Sequence, residues 1–183
     1  MPIERSRRPI AAARITAAAH RLLDASTLCA IATVSSAGRA HVNTAYFAWS
    51  RELDLVWLSD SHARHSRNVR ANGTVAMAVF DSNQIWGKPD RGIQLFGSAR
   101  ELPAKAAREA ERIYAERFPE CGQSDFELYR LYRFRPRRLK LFDERALGGG
   151  VFITARVRSD GGVAWERTEI YRERESYSVV RPT

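Results

Sequence analysis

The sequence predicts an α+β fold, mainly β with helices, in which about six antiparallel strands make a closed or half-closed barrel with helices at its ends. Three observations predict it. Short apolar runs of strand length recur between turn signals, and a few alanine-rich or charge-paired segments have helical character. Strands and helices never alternate in the βαβ manner that builds a parallel sheet.

Taken in order, "IAAARITAAAHRLLDAS" sets Ile15, Ala19, Leu22 and Leu23 on one stripe and ends on Asp24 and Ser26, which predicts a helix over 11–24. "LCAIATVSS" is a short, nearly continuous apolar run. After the turn "AGR", the segment "AHVNTAYFAW" carries the β-branched and aromatic residues of a strand, and "LDLVWLSD" follows the polar turn "SREL" as another. Three strands joined by short turns make an antiparallel meander. "SHARHSRNVRANG" then reads as a helix over 62–71, stopped at Asn72-Gly73. "TVAMAVFD" and "GIQLFGSARELP" are two more strands around the loop "SNQIWGKPDR". Pro103 opens a helix over 104–118, whose glutamate and arginine pairs fall at helical spacing. "LYRLYRFRPRRLKLFDE" reads as a last strand, broken near Pro136. Residues 1–146 thus form the barrel domain with its N-terminal helix. Residues 147–183, polar and turn-rich, are expected to be an extension that makes a hairpin or a partly ordered tail.

A chain of 183 residues with 44% hydrophobic content can bury roughly 70% of its unfolded surface, enough for one core. There is no run of eighteen or more apolar residues, and "MPIERSRRPI" lacks the apolar stretch of a secretory signal, so the expected location is cytoplasmic and off the membrane. Cys29 and Cys121 lie far apart, with neither disulfide-framework nor zinc spacing. The net charge of +9 raises the question of nucleic acid. Only Lys88, Lys105 and Lys140 are lysines, and the arginines are scattered and often sit beside glutamates, so composition explains the charge better than a nucleic-acid face does. The densest cluster is "RFRPRRLKL".

The stretch "LSDSHARHSRNVRANG" sits where a strand gives way to a helix. Such a junction offers backbone N–H groups and the positive end of the helix dipole, and Ser61, Arg64 and His65 add hydroxyl, guanidinium and imidazole donors. A nucleotide phosphate suits it; the plainer alternative is a solvated helix turn. His62 and His65 are one turn apart, but no third metal ligand accompanies them. Trp49, Trp57 and Trp86 read as core or interface rather than stacking platforms. No Ser-His-Asp triad, P-loop or paired-carboxylate motif is visible.

From Leu28 to Asp143, the order of "HVNTAYFAW", the serine-to-asparagine junction and "RGIQLFGSARELP" resembles the pyridoxamine phosphate oxidase-like, FMN-binding split-barrel proteins, in particular an uncharacterised bacterial branch. The resemblance implies a six-stranded antiparallel split barrel and a homodimer with FMN at the interface. It implies that Asn43, Thr44, Ala45 and Tyr46 lie against the flavin ring, that Ser59, Asp60 and Ser61 stand near the ribityl phosphate, and that Arg64 and His65 grip that phosphate. Gly92 and Gln94 would reach the flavin from the second subunit. His65 replaces the usual lysine, which weakens the charge there near neutral pH. The arginine and histidine motif that holds pyridoxal phosphate in the true oxidase is not visible in "RTEIYRERESYSVVRPT", so vitamin B6 oxidation is not expected. The function implied is an FMN-dependent oxidoreductase acting on a small molecule, in which the flavin carries the electrons and no catalytic side chain is singled out. The alternatives on the same fold are a deazaflavin coenzyme, haem, or a non-catalytic small-molecule sensor.

Overall fold

The computed structural model describes residues 3–80 and 83–171. In chain order the elements are β1 (Ile3–Ser6), α1 (Ala12–Ala25), β2 (Leu28–Val34), β3 (Ala40–Tyr46), β4 (Ala48–Trp49), β5 (Leu55–Ser59), α2 (Arg64–Ala71), β6 (Thr74–Phe80), β7 (Arg91–Glu101), α3 (Ala104–Arg117), α4 (Gln123–Leu128), β8 (Arg130–Asp143), α5 (Glu144–Leu147), β9 (Val151–Val157) and β10 (Val163–Tyr171). All six sequence-predicted strands are present as β2, β3, β5, β6, β7 and β8, and every pairing among the described residues is antiparallel. The fold is α+β, a split barrel whose sheet is not closed.

The sheet runs β1-β10-β9-β8-β7-β6-β2-β3, and β5 pairs with β8 and β4 off that path. The barrel path is therefore β5-β8-β7-β6-β2-β3, with the split between β3 and β5. The chain crosses this split at Phe47, fully buried, and then adds the two-residue β4 to β5. Sequence reading joined β3 and β4 into one strand; burying Phe47 turns the backbone and ends the first ladder at Tyr46. It also left out β1, whose polar "IERS" becomes a strand only by pairing with β10, and the short helices α4 and α5.

Alternation decides what each strand buries. Ile31, Met77, Ile93 and Leu95 point into the barrel, where Trp57 stacks on Tyr132 at 5.3 Å. The α1 stripe of Ile15, Ala18, Ala19, Leu22 and Leu23 joins this core; each leucine so buried contributes about 1.5–3 kcal/mol. A second cluster forms where Ala107, Ala110 and Tyr114 of α3 cover Ala48, Val56 and Leu131. The opposite faces of β2, β3, β6 and β7 form a half-buried alanine floor, Ala30, Ala32, Ala76 and Ala78, flanked by exposed Leu28, Val42, Tyr46, Phe80 and Phe96.

Pro136 does not break β8, contrary to expectation. The strand continues from Arg130 to Asp143 because a bulge takes up the proline: Gly97 pairs with Pro136 and the next pair is Phe96 with Arg138. Gly97 has to be glycine at this point, since a Cβ there would overlap the Arg135 carbonyl oxygen and come within 2.8 Å of the Pro136 Cα. Residues 172–183, where a partly ordered tail and most of "RTEIYRERESYSVVRPT" fall, lie outside the described residues.

Gly97→Ala should therefore destabilise the fold by about 2 kcal/mol, a drop of roughly 4–8 °C in Tm, measurable by thermal or urea unfolding.

Candidate functional site

The site is built where β5 meets α2. Burial of Leu55 and Trp57 fixes β5 against β8, so Ser59 arrives buried at the strand end, paired with Arg130. The turn Asp60-Ser61-His62 is held by its own sequence. Asp60 Oδ1 accepts the His62 backbone N–H at 2.7 Å and lies 3.3 Å from the His62 Nδ1; the backbone N–H chiefly holds the Asp60 carboxyl below the usual carboxylate range. Arg70 donates to the Ser61 carbonyl at 2.7 Å and Arg67 to the His62 carbonyl at 2.9 Å. The helix starts at Arg64, not at residue 62, because Asp60 and His62 form this turn instead of a helical one. No side chain caps the N-terminus of α2 and no acidic residue stands in its first turn. Arg64 is exposed and has no ion-pair partner among the described residues.

His65 turns inward. Its Nε2 lies 2.6 Å from the Ser59 Oγ, and that oxygen accepts from Ser66 Oγ at 3.2 Å. The imidazole of His41, on β3, stands nearly parallel to it with ring centroids 6.5 Å apart. Burial first, and the neighbouring His41 second, push the pKa of His65 below 6.5. Behind it, Tyr132 donates to Glu101 at 3.0 Å and Arg70 pairs with the same carboxylate at 2.9 Å. Asn68 ties α2 to β2 through Thr33 at 3.0 Å.

Across the split, β3 divides its four candidate residues by alternation. Ala45 packs on the core and Asn43 is half-buried, with its Oδ1 buried and without a hydrogen-bond partner, whereas Thr44 and Tyr46 face outward. The structure thus gathers Ser59, Asp60, Ser61, Arg64 and His65 at one junction, with His41 linking it to β3. Gly92 and Gln94 stand apart within one chain: α2 is tied to the Glu101 end of β7, roughly 30 Å along the strand from Gly92. Sequence reading missed His41, Ser66, Arg70, Glu101 and Tyr132, although period-two alternation would have separated Thr44 and Tyr46 from Asn43 and pointed to His41.

Two cavities lie near these elements. One of about 480 Å3 adjoins the junction and is lined in part by Ser59 and Tyr46. The other, about 880 Å3, lies between α1, α3 and the turn at 50–52 and contains none of the sequence-predicted site residues.

The family described as pyridoxamine 5'-phosphate oxidase matches residues 15–143, which span the barrel strands and the junction. The chain belongs to that family. No curated protein matches it significantly. Among solved structures it is similar to Atu2129 from Agrobacterium tumefaciens, of unknown function, with a TM-score of 0.62, 18% identity and coverage of 73% of this chain but only 57% of that one. The heme storage protein HutZ from Vibrio cholerae gives a TM-score of 0.54, 19% identity and coverage of 64% and 87%. A Clostridium acetobutylicum protein related to general stress protein 26 gives 0.59, 13%, 79% and 95%. These likenesses establish the fold. No helix among the described residues is long and apolar enough to cross a membrane.

The depressed pKa of His65 has a measurable sign. Since the folded value lies below the unfolded one, the neutral ring favours folding above about pH 6.5, and that stability is lost as pH falls toward the folded value. In an NMR titration His65 should titrate below 6.5, and His41→Gln should move it upward.

Proposed function

We propose that this protein is a homodimeric, FMN-binding oxidoreductase acting on a small molecule, with the cofactor phosphate held at the β5–α2 junction. One observation carries the reading: an uncapped helix N-terminus with no acidic residue in its first turn stands beside an exposed arginine that has no ion-pair partner among the described residues. The residues present fit the group. Arg64 supplies a permanent charge, the Ser59 and Ser61 hydroxyls supply hydrogen-bonding groups, and the Asp60 carboxylate is engaged by His62. The orphaned Asn43 Oδ1 is an acceptor for a ring N–H, while the Thr44 and Tyr46 side chains stand on the opposite, outward side of β3. When bound, the flavin would supply the electron or hydride chemistry; the chain's own residues bind and orient it.

The dimer rests on the alanine floor and its apolar rim, a flat face that two copies would bury against each other. In such a dimer Gly92 and Gln94 would serve the partner's cofactor. Haem is the second reading, favoured by the two parallel imidazoles of His41 and His65 and by the likeness to HutZ; a deazaflavin and a ligand sensor without catalysis complete the set. A cytoplasmic setting belongs to this proposal.

The absorbance spectrum of the purified protein separates these readings, by flavin bands, a Soret band or neither. In FMN titrations followed by fluorescence quenching, Arg64→Ala should lose a charge-assisted contact of about 1.5–3 kcal/mol, roughly ten- to hundredfold in affinity. A bound phosphate would raise the pKa of His65 relative to the free protein, so its contribution is full below the free-state value and fades as pH rises through the bound-state value. Measured from about pH 7 upward, where the phosphate charge is constant, wild-type affinity should decline, whereas His65→Lys should bind more tightly and stay level to about pH 9. Unchanged binding in both variants places the phosphate elsewhere.

The interface has its own check. Light scattering should return twice the 20.7 kDa chain mass, and Ala76→Arg, which sets a charge in the middle of the floor, should return a monomer.

A further inference from the structure

The cavity of about 480 Å3 beside the junction is walled by four aromatic rings, from Tyr46, Tyr114, Phe118 and Tyr129. The rings are held in fixed mutual orientations. Phe118 meets Tyr46 edge-on at 5.7 Å and Tyr114 at a tilt at 4.9 Å, and Tyr114 is braced in turn by Phe126, edge-on at 6.5 Å. Tyr114 is buried while Tyr129 and Glu120 are exposed, so the box has a closed base and an open mouth.

Its charged groups are all of one sign. The only ionised side chains along the wall are the carboxylates of Glu120 and Asp125, and none of the described lining residues is basic. Glu120 is exposed and makes no hydrogen bond or ion pair among the described residues, whereas Asp125 accepts the Gly122 backbone N–H at 2.9 Å. Neither Arg117 nor Arg130 lines the box: Arg117 donates to the carbonyls of Leu23 and Ser26, at 2.8 and 2.6 Å, and Arg130 to those of Glu127 and Tyr129. Burial first, and Asp125 after it, push the Cys121 thiol up, so the sulfur in the wall stays a neutral thiol.

We infer that this box is a binding site for an organic cation, an aromatic or alkylated ammonium compound, whose charge lies over the ring faces and beside Glu120 and Asp125. Ring faces are negative and attract a cation most strongly where water is excluded, and a rim carboxylate adds to the same field. A phosphorylated or carboxylate ligand would meet two carboxylates and no cation, and is refused. The volume suits one ring with a small head group. Ser59, at the inner end, belongs both to this wall and to the hydrogen bond with His65, so a ligand seated here adjoins the cofactor junction. As the substrate class of the proposed oxidoreductase, the inference rests on the flavin reading; as a binding site it does not.

Three probes with one ring and different charge test it: benzylamine, protonated at pH 7, benzyl alcohol and benzoate. Binding is followed by calorimetry or NMR shifts on the full chain, before and after FMN is added, while flavin binding is read separately by its own fluorescence. Benzylamine should bind most tightly and benzoate least. Glu120→Gln should weaken benzylamine roughly two- to fivefold and leave benzyl alcohol unchanged. Tyr129→Ala, at a position already 37% exposed, should weaken both without loss of fold, checked by its melting temperature. Benzoate binding as tightly as benzylamine, an unchanged benzylamine affinity in Glu120→Gln, or no binding of any probe at millimolar concentration while FMN binds would overturn the inference. Charge-ranked binding of the probes with no flavin bound would uphold the site and remove the flavin reading alone.

Discussion

The architecture depends on β8 offering one edge to two strands. Along one side it pairs with β7 from Tyr132 to Asp143; on the other, Arg130 to Phe134 pair with β5 and Arg138 to Phe142 pair with β9. The bulge at Gly97 and Pro136 lies at the changeover and turns the strand so that one half closes toward the barrel and the other carries the hairpin. Because β5 is fixed only by this half-edge and by the short β4, the position of Ser59 is a direct consequence of the register between Trp57 and Tyr132.

The same register explains how a polar site is braced beside an apolar core. Tyr132 puts its ring under Trp57 and its hydroxyl on Glu101, and Glu101 holds Arg70, which in turn holds the Ser61 carbonyl. Barrel packing is thereby transmitted to the turn by four hydrogen-bonded groups in series. On the other side, Ser66 and Asn68 face inward from α2 and satisfy Ser59 and Thr33. The helix is thus anchored by its buried polar face, and its N-terminus stays open. Arg64, one residue before the inward His65, is left on the solvent side by helix geometry.

What was legible in the sequence follows from what is local. The six barrel strands were readable because each buries one face and so alternates or runs apolar within its own few residues. β1 and β4 were not, since "IERS" has no apolar face and Ala48–Trp49 owes its pairing to the burial of Phe47. Pro136 misled for the same reason: the proline is local, whereas the bulge that accommodates it needs Gly97 from another strand. At the junction, Ser59 and Arg64 stood out as a strand end and a helix start. The inward turn of His65 depends on His41 and Ser59 coming from different strands, and Glu101 and Tyr132 are equally remote in sequence from α2. No neighbouring residue betrays them.

The pairing of β1 with β10 bears on how the chain reaches this state. Ile3 to Ser6 are matched to Thr168 to Tyr171, so β1 has no partner until nearly all the described chain has left the ribosome. The barrel strands β2 to β8 can assemble without it, their neighbours arriving sooner. The emerging "IERS" segment is polar and carries both charges, which lets it wait in water without seeking a wrong edge. Adding β1 at the outer end of the sheet is then the most non-local pairing of the fold, a contact that adds to topological slowness while leaving the pairing of the barrel strands untouched.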